Sequence, residues 1–391
     1  MRKDAVKGRA KALTSRLPWG VIGMLLFVAP AELFVARNAH RFMTWIEMDW
    51  KVVGQEARTK AAGADVLIFG DSMLKFGLAP TVLSEKVGRP VYSLALLDGK
   101  PASSYFLLRR ALESGARPKV VLVDYQPECM CEPPDHLAEN RHWKGLLSLR
   151  ECWDFSRTYR DAHFFGRTAL ARLLPSYRCR SGVREETLLA LQGLSGPNAA
   201  DNARNARNRD LNRGGLLLAK KPSYNGSIPK KFWPELFSDE WGSRPGHTVY
   251  VRRFMALAAR HGVRVVWVIP PNTPELERVR DSYGMLDRYT RFVQGVQKLY
   301  PNLHVVDARR AGFDHHVFID PVHLDRDGAV AFTLGVAEAL RPFLRASESP
   351  TDPAARWVSL TRPGRPDAPV ELEDLEQSRK VVLGGGETVR R

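Results

Sequence analysis

The sequence predicts an α/β domain built on a five-stranded parallel sheet with helices on both faces. Three observations carry this. Short apolar runs recur at Val66–Phe69, Val91–Leu94, Lys119–Asp124, Val263–Ile269 and Leu303–Val306. They read as nearly continuous Val, Leu and Ile, as buried strands do. Stretches with helical character alternate with them, and strand–helix alternation implies a parallel sheet covered on both sides.

The elements follow in order. Arg2, Lys3, Lys7, Arg9, Lys11 and Arg16 oppose only Asp4, and an apolar run from Leu17 to Val35 follows. A basic flank before an apolar stretch is the pattern of a signal anchor. Residues 1–16 are expected in the cytoplasm, 17–36 as a transmembrane anchor, and everything beyond about residue 40 outside. Ala29-Pro30-Ala31 also fits a cleavage site, but an uncleaved anchor is the favoured reading. A polar neck spans 37–63. Its Trp45, Ile46, Met48 and Trp50 suit either a membrane interface or packing on the domain.

The domain itself is expected over 64–345. Its first strand, Val66–Phe69, ends at Gly70, and Ser72–Val87 is helical with an interruption at Pro80. The second strand leads to a helix over Ser103–Ser114 closed by Gly115, and then to the third strand. The rhythm stops over about 126–246, read as a large, partly helical insertion. Its Asn198–Arg213 tract is low in complexity and expected to be mobile. The pattern resumes with a helix over Val249–His261, the fourth strand, a helix over Tyr283–Tyr300, the fifth strand and a last helix over Ala329–Leu344. From Ala346 to the end, Pro, Gly and mixed charge predict a disordered tail.

Composition narrows the partners. The 391 residues carry a net charge of +16, which favours an anionic partner. Many of the basic residues lie in 178–231, just past the third strand. That stretch is expected to hang over the carboxyl edge of the sheet and to attract an anionic polysaccharide or lipid surface. A nucleic-acid partner is not expected, because the basic tract lacks interleaved aromatics and no Walker loop, dinucleotide fingerprint or zinc finger occurs. Cys129, Cys131, Cys152 and Cys179 form an even, clustered set, which in an oxidising compartment suggests one or two disulfides. His315 and His316, near Asp314, are a lesser metal candidate, and no metal or cofactor is expected.

Chemistry is sought after each strand, because ligands of open parallel sheets bind at the strands' carboxyl ends. After the first strand comes Gly70-Asp71-Ser72-Met73, which sets Ser72 at the start of a helix. Free N–H groups and the helix dipole favour developing negative charge there. Asp and Ser are also ordinary helix caps. After the fifth strand comes Asp320-Pro321-Val322-His323-Leu324. A local turn lets Asp320 accept a proton from one imidazole nitrogen and leaves the other basic and outward. A solvated loop would have the same residues. Together the two segments supply nucleophile, base and orienter at one sheet edge.

These two blocks, about 250 residues apart, resemble the first and last blocks of SGNH/GDSL hydrolases, with the resemblance covering roughly 64–125 and 247–344. It implies a flavodoxin-like three-layer sandwich and a Ser72–His323–Asp320 triad acting on carboxylic esters. The layout is similar to that of anchored members that add or remove acetyl groups on envelope polysaccharides. The family's oxyanion hole uses the Ser N–H, a Gly after strand two and an Asn after strand three. Gly99 matches the Gly. The third strand instead runs into Asp124-Tyr125-Gln126-Pro127, without the family's Asn. Gln126 and Asn272 are the candidate replacements. The expected function is a membrane-anchored, extracytoplasmic serine esterase or O-acyltransferase acting on an acyl ester. The alternative is a catalytically degenerate scaffold of the same fold that binds glycans.

Overall fold

A computed structural model describes residues 19–132, 142–229, 241–345 and 352–384. Its strands are β1 (Val66–Phe69), β2 (Val91–Ser93), β3 (Val120–Val123), β4 (Arg264–Ile269), β5 (Leu303–Asp307) and β6 (Trp357–Ser359). The longer helices run α1 (Trp19–Arg37), α2 (Trp45–Thr59), α3 (Ser72–Gly77), α4 (Pro80–Val87), α5 (Pro101–Glu113), α6 (Leu149–Tyr159) and α7 (Ala162–Leu173). They continue with α8 (Arg180–Leu191), α9 (Asn198–Leu211), α10 (Pro245–Arg260), α11 (Pro274–Ser282), α12 (Met285–Leu299), α13 (Arg326–Arg345) and α14 (Leu375–Gly384).

All six strands are parallel, in the order β2-β1-β3-β4-β5-β6. Side chains alternate between faces as strand geometry demands. Leu67, Phe69, Val121, Val123, Val265 and Trp267 pack toward α2, α5, α10 and α12. Val66, Ile68, Leu122, Val266 and Val306 pack toward α3, α4 and α13. Helices therefore cover both faces, as the alternation predicted. Each fully buried Val, Leu or Ile contributes about 1.5–3 kcal/mol by leaving water.

Three expectations are corrected. The sheet has six strands, not five, because β6 comes from the tail expected to be disordered. Arg356, 3% exposed, holds β6 in place: its guanidinium donates to the carbonyls of Tyr300, Pro301 and Leu303. The last helix of the chain, α14, also belongs to this tail, and residues 346–351 and 385–391 lie outside the described residues. The Asn198–Arg213 tract is helix α9 rather than a mobile loop. Its Asn198, Asn202, Asn205 and Asn208 are buried, and Asn202 donates to the carbonyls of His40 and Met43 while Asn208 donates to that of Glu373. The tract's arginines are engaged inside the molecule: Arg207 pairs with Glu373 and Arg209 with Glu56. The four cysteines are free thiols, Cys129 and Cys131 on one short helix and Cys152 and Cys179 elsewhere, so the expected disulfides are absent. The neck includes helix α2, and of the two readings left open for it Trp50 takes packing on the domain: it is fully buried and donates to the Leu97 carbonyl at 2.7 Å. No described helix is long and apolar enough to cross a membrane.

Pro80 splits the expected Ser72–Val87 helix into α3 and α4, because proline cannot continue a helix but suits its first position.

Candidate active site

The strand order reverses between β1 and β3, which is where open parallel sheets form their ligand crevice. Ser72 enters this crevice at the first position of α3, and Asp71 caps the helix by accepting the Met73 N–H at 2.8 Å. The turn that aims Ser72 depends on glycine. Gly70 has φ +125°, and a Cβ there would lie 1.7 Å from Asp124 Oδ1. Gly99 is equally constrained, since its Cβ would lie 2.1 Å from the Gly70 carbonyl oxygen.

The loop after β5 brings the other two groups. Phe318 and Leu324 form an antiparallel bridge, and Ile319 N–H donates to the His323 carbonyl. Inside this turn Asp320 Oδ1 accepts the Val322 and His323 N–H groups, at 2.9 and 2.8 Å. The Pro321 carbonyl accepts from the N–H and hydroxyl of Thr273, which ties the turn to the loop after β4.

Asp320 Oδ2 lies 2.8 Å from His323 Nδ1, and His323 Nε2 lies 2.8 Å from Ser72 Oγ. The network assigns the proton to Nδ1, donated to Asp320, and leaves Nε2 to accept from the Ser72 hydroxyl. Phe76, on α3, meets the imidazole edge-on with centroids 5.4 Å apart. Burial alone would raise the Asp320 carboxyl. The hydrogen bond and charge of His323, with the two backbone donors, outweigh it and hold the carboxyl below its usual value. Asp320 therefore stays ionised and able to stabilise an imidazolium.

Of the six residues singled out in the sequence, the fold brings Ser72, His323 and Asp320 into one hydrogen-bonded chain. The Gly99 N–H, expected to face an oxyanion, donates to the Leu96 carbonyl at 3.2 Å, within its own turn. Gln126 and Asn272 line one narrow slot with Met73, the residue after the serine. Asn272 donates to Glu277 at 2.6 Å. Gln126 uses its carbonyl, accepting from Arg280 at 3.5 Å, so its amide nitrogen is the better placed donor. The Ser72 N–H, at the first helical position, has no partner within its helix. A cleft of about 730 Å³ lies between α12 and β6, sharing Leu286 and Arg309 with the slot. The slot adjoins the hydrogen-bonded chain through Met73, the residue after Ser72. Asp314, His315 and His316 gather on a separate turn, with Asp314 and His316 exposed and His315 half-buried.

No protein-family model matches this chain, and no curated protein does. The site is therefore read from its own geometry.

Sequence reasoning missed Phe76, Thr273 and Asp124. Asp124 is fully buried and accepts the Asp71 N–H at 3.0 Å. Burial, then the Asp71 charge, push it well above the usual carboxyl range, so it holds a proton that the unfolded chain would release. Stability is accordingly lost as pH rises from the ordinary carboxyl range toward this raised value. Asp124→Asn keeps the acceptor and removes the titration. Thermal unfolding from pH 4.5 to 8 is expected to show a flatter profile for the variant and a Tm at pH 8 no lower than that of the parent. A variant several degrees less stable at every pH would contradict the protonated state.

Proposed function

We propose that this chain is a serine-dependent acyl-ester enzyme of the SGNH/GDSL type, a hydrolase or O-acyltransferase, held at the outer side of a membrane. One observation carries the reading: the continuous Ser72–His323–Asp320 hydrogen-bond chain, with both links at 2.8 Å. The strand order 2-1-3-4-5, extended by β6, agrees with a flavodoxin-like sandwich.

In this mechanism Ser72 Oγ attacks the ester carbonyl while His323 Nε2 takes the hydroxyl proton. The carbonyl oxygen becomes an oxyanion facing the Ser72 N–H and the Gln126 amide. The tetrahedral adduct collapses, the ester C–O bond breaks, and His323 returns its proton to the departing alkoxide. Water or a second hydroxyl then attacks the acyl-serine, with His323 again accepting and returning a proton. Water yields a carboxylic acid, and a carbohydrate hydroxyl yields a new ester. Asp320 holds the imidazole and stabilises its cation throughout.

A fluorophosphonate probe tests this. It should add one adduct to the parent protein, on Ser72 by peptide mass, and none to Ser72→Ala. An unmodified parent would favour the scaffold reading, which draws its support from the engaged Gly99 N–H. The oxyanion assignment makes a separate prediction. Gln126→Ala should lower kcat for a small ester by about 100-fold, as loss of one oxyanion donor does. Asn272→Ala, whose amide is engaged by Glu277, should cost less than about 10-fold. The reverse ranking would move the oxyanion to Asn272.

A further inference from the structure

Helix α1 is apolar and mostly exposed along its first half: Leu26 is 71% and Phe27 83% accessible. Pro30 and Glu32 interrupt it. Its second half is fastened to the insertion. Glu32 accepts from the backbone N–H of Ser176 at 2.7 Å and from the Ser176 hydroxyl. Val35 is buried against Phe42, Met43 and Cys179. The residues just before Ser176 are also apolar and uncovered, with Leu170 41% and Leu173 69% exposed. Isolated exposed leucines need no explanation, but a contiguous apolar surface does. The link between Glu32 and Ser176 joins two exposed apolar stretches close to their ends: Leu33 and Phe34 directly follow Glu32, and Leu173 and Leu174 lie just before Ser176.

The surroundings indicate what covers this surface. Arg180 lies over the Tyr177 ring at 4.9 Å, and Arg172 and Arg184 are exposed on the flanking helices. The segment before α1 adds six basic residues against one acid. An apolar face rimmed by arginine and tyrosine matches the boundary between acyl chains and anionic headgroups. Helix α2, which comes after α1 in the chain, is tied to the site: its Trp45 and Ile46 pack with Phe76 and Leu97, and Phe76 meets the imidazole edge-on.

We propose that α1 and the Leu170–Leu174 corner of the insertion together form a docking surface for an anionic lipid bilayer. The insertion thus meets lipid directly, and α1 is not a tether from which the domain hangs free. The Glu32–Ser176 link makes the two parts one surface, which fixes the mouth of the Ser72 crevice relative to the membrane. Ester groups presented near a lipid surface would then reach it without the chain letting go.

The test uses the full chain in vesicles of phosphatidylcholine with phosphatidylglycerol. Single cysteines are introduced at Phe27, Leu173 and Leu299, labelled with an environment-sensitive fluorophore, and corrected for labelling of the unsubstituted protein. Leu299, 61% exposed at the end of α12, lies at the amino edge of the sheet and serves as the water-facing reference. Labels at 27 and 173 are expected to be quenched by doxyl lipid, with iodide quenching at least several-fold weaker than at 299. Shielding at 173 should drop several-fold in vesicles of phosphatidylcholine alone. Iodide quenching at 173 equal to that at 299 would overturn the proposal. A 173 label shielded from both quenchers would also overturn it, because protein would then cover the surface. Equal shielding in the two lipids would remove the anionic element.

Discussion

Replacing Ser72 by alanine is expected to lower kcat/KM for a small acyl ester by about 10,000-fold or more. The reason is specific to the geometry. In the proposed mechanism the hydroxyl is the atom that bonds to substrate, and its proton passes to the imidazole 2.8 Å away. His323→Ala should cause a loss of the same size, since a base without a nucleophile and a nucleophile without a base are equally idle. The Ser72→Ala/His323→Ala double variant should then be no worse than either single one, because residues that act as a unit are grossly non-additive. Asp320→Asn should lose about 1,000–10,000-fold, since an amide that donates to Nδ1 would stabilise the wrong tautomer. Kinetics on the four purified variants, with Tm within a few degrees of the parent, make the comparison. Multiplying losses in the double variant, or substantial activity in Ser72→Ala, would refute a shared catalytic unit.

The second large effect concerns stability. Lys75 sits on the same helix as Ser72, yet its side chain is 0% exposed and donates to Asp49, itself 2% exposed, at 2.9 Å. Burial pulls the Lys75 ammonium below its usual range, and the Asp49 charge opposes that. Arg209 reaches the same carboxylate at 3.7 Å and Glu56 at 3.2 Å. Asp49→Ala would leave two cations facing each other inside the protein. Breaking such a buried pair costs about 3–5 kcal/mol, a fall in Tm of about 4–6 °C for a chain of this size. The Asp49→Leu/Lys75→Met double variant should recover most of it, because a volume-matched apolar pair has no charge to desolvate. A Tm change under about 2 °C in Asp49→Ala would show that water or Glu56 already solvates the ammonium. Since this network joins α2, α3 and α9, deletion of 198–213 is expected to unfold the nucleophile's support and not merely weaken anion binding.

What the sequence disclosed follows from the kind of signal each element carries. The four central strands were legible because strands buried on both faces must be runs of Val, Ile and Leu, and such runs are rare by chance. Ser72 and the Asp320–His323 pair were legible because chemistry confined the search to the strands' carboxyl ends. The choice between Gln126 and Asn272 as side-chain oxyanion donor was not, because which amide is already engaged depends on partners brought in by the fold. Whether the Gly99 N–H faces substrate or its own turn is decided by three-dimensional closure. Strand β6 was hidden by its length, three residues between stretches rich in Pro and charge. Helix α9 did carry a signal of an unfamiliar kind. Asn198, Asn202, Asn205, Asn208 and Asn212 recur at three- and four-residue spacing, which is helical periodicity written in amides. The buried face of α9 binds backbone carbonyls, so hydrophobicity could not reveal it. Lys75 was similarly visible as a lone charge between Leu74 and Phe76, where a solvated lysine would be out of place.

The short outer strands have a consequence for self-association. The sheet ends on β2 at one side and β6 at the other, each of three residues. A brief border offers an incoming chain few unpaired amides and carbonyls, whereas a longer one is a template for intermolecular pairing. Without β6 the border would be β5, five residues with four of them buried. The C-terminal segment thus acts as a selvedge, a woven finish that keeps neighbouring molecules from stitching themselves onto the sheet.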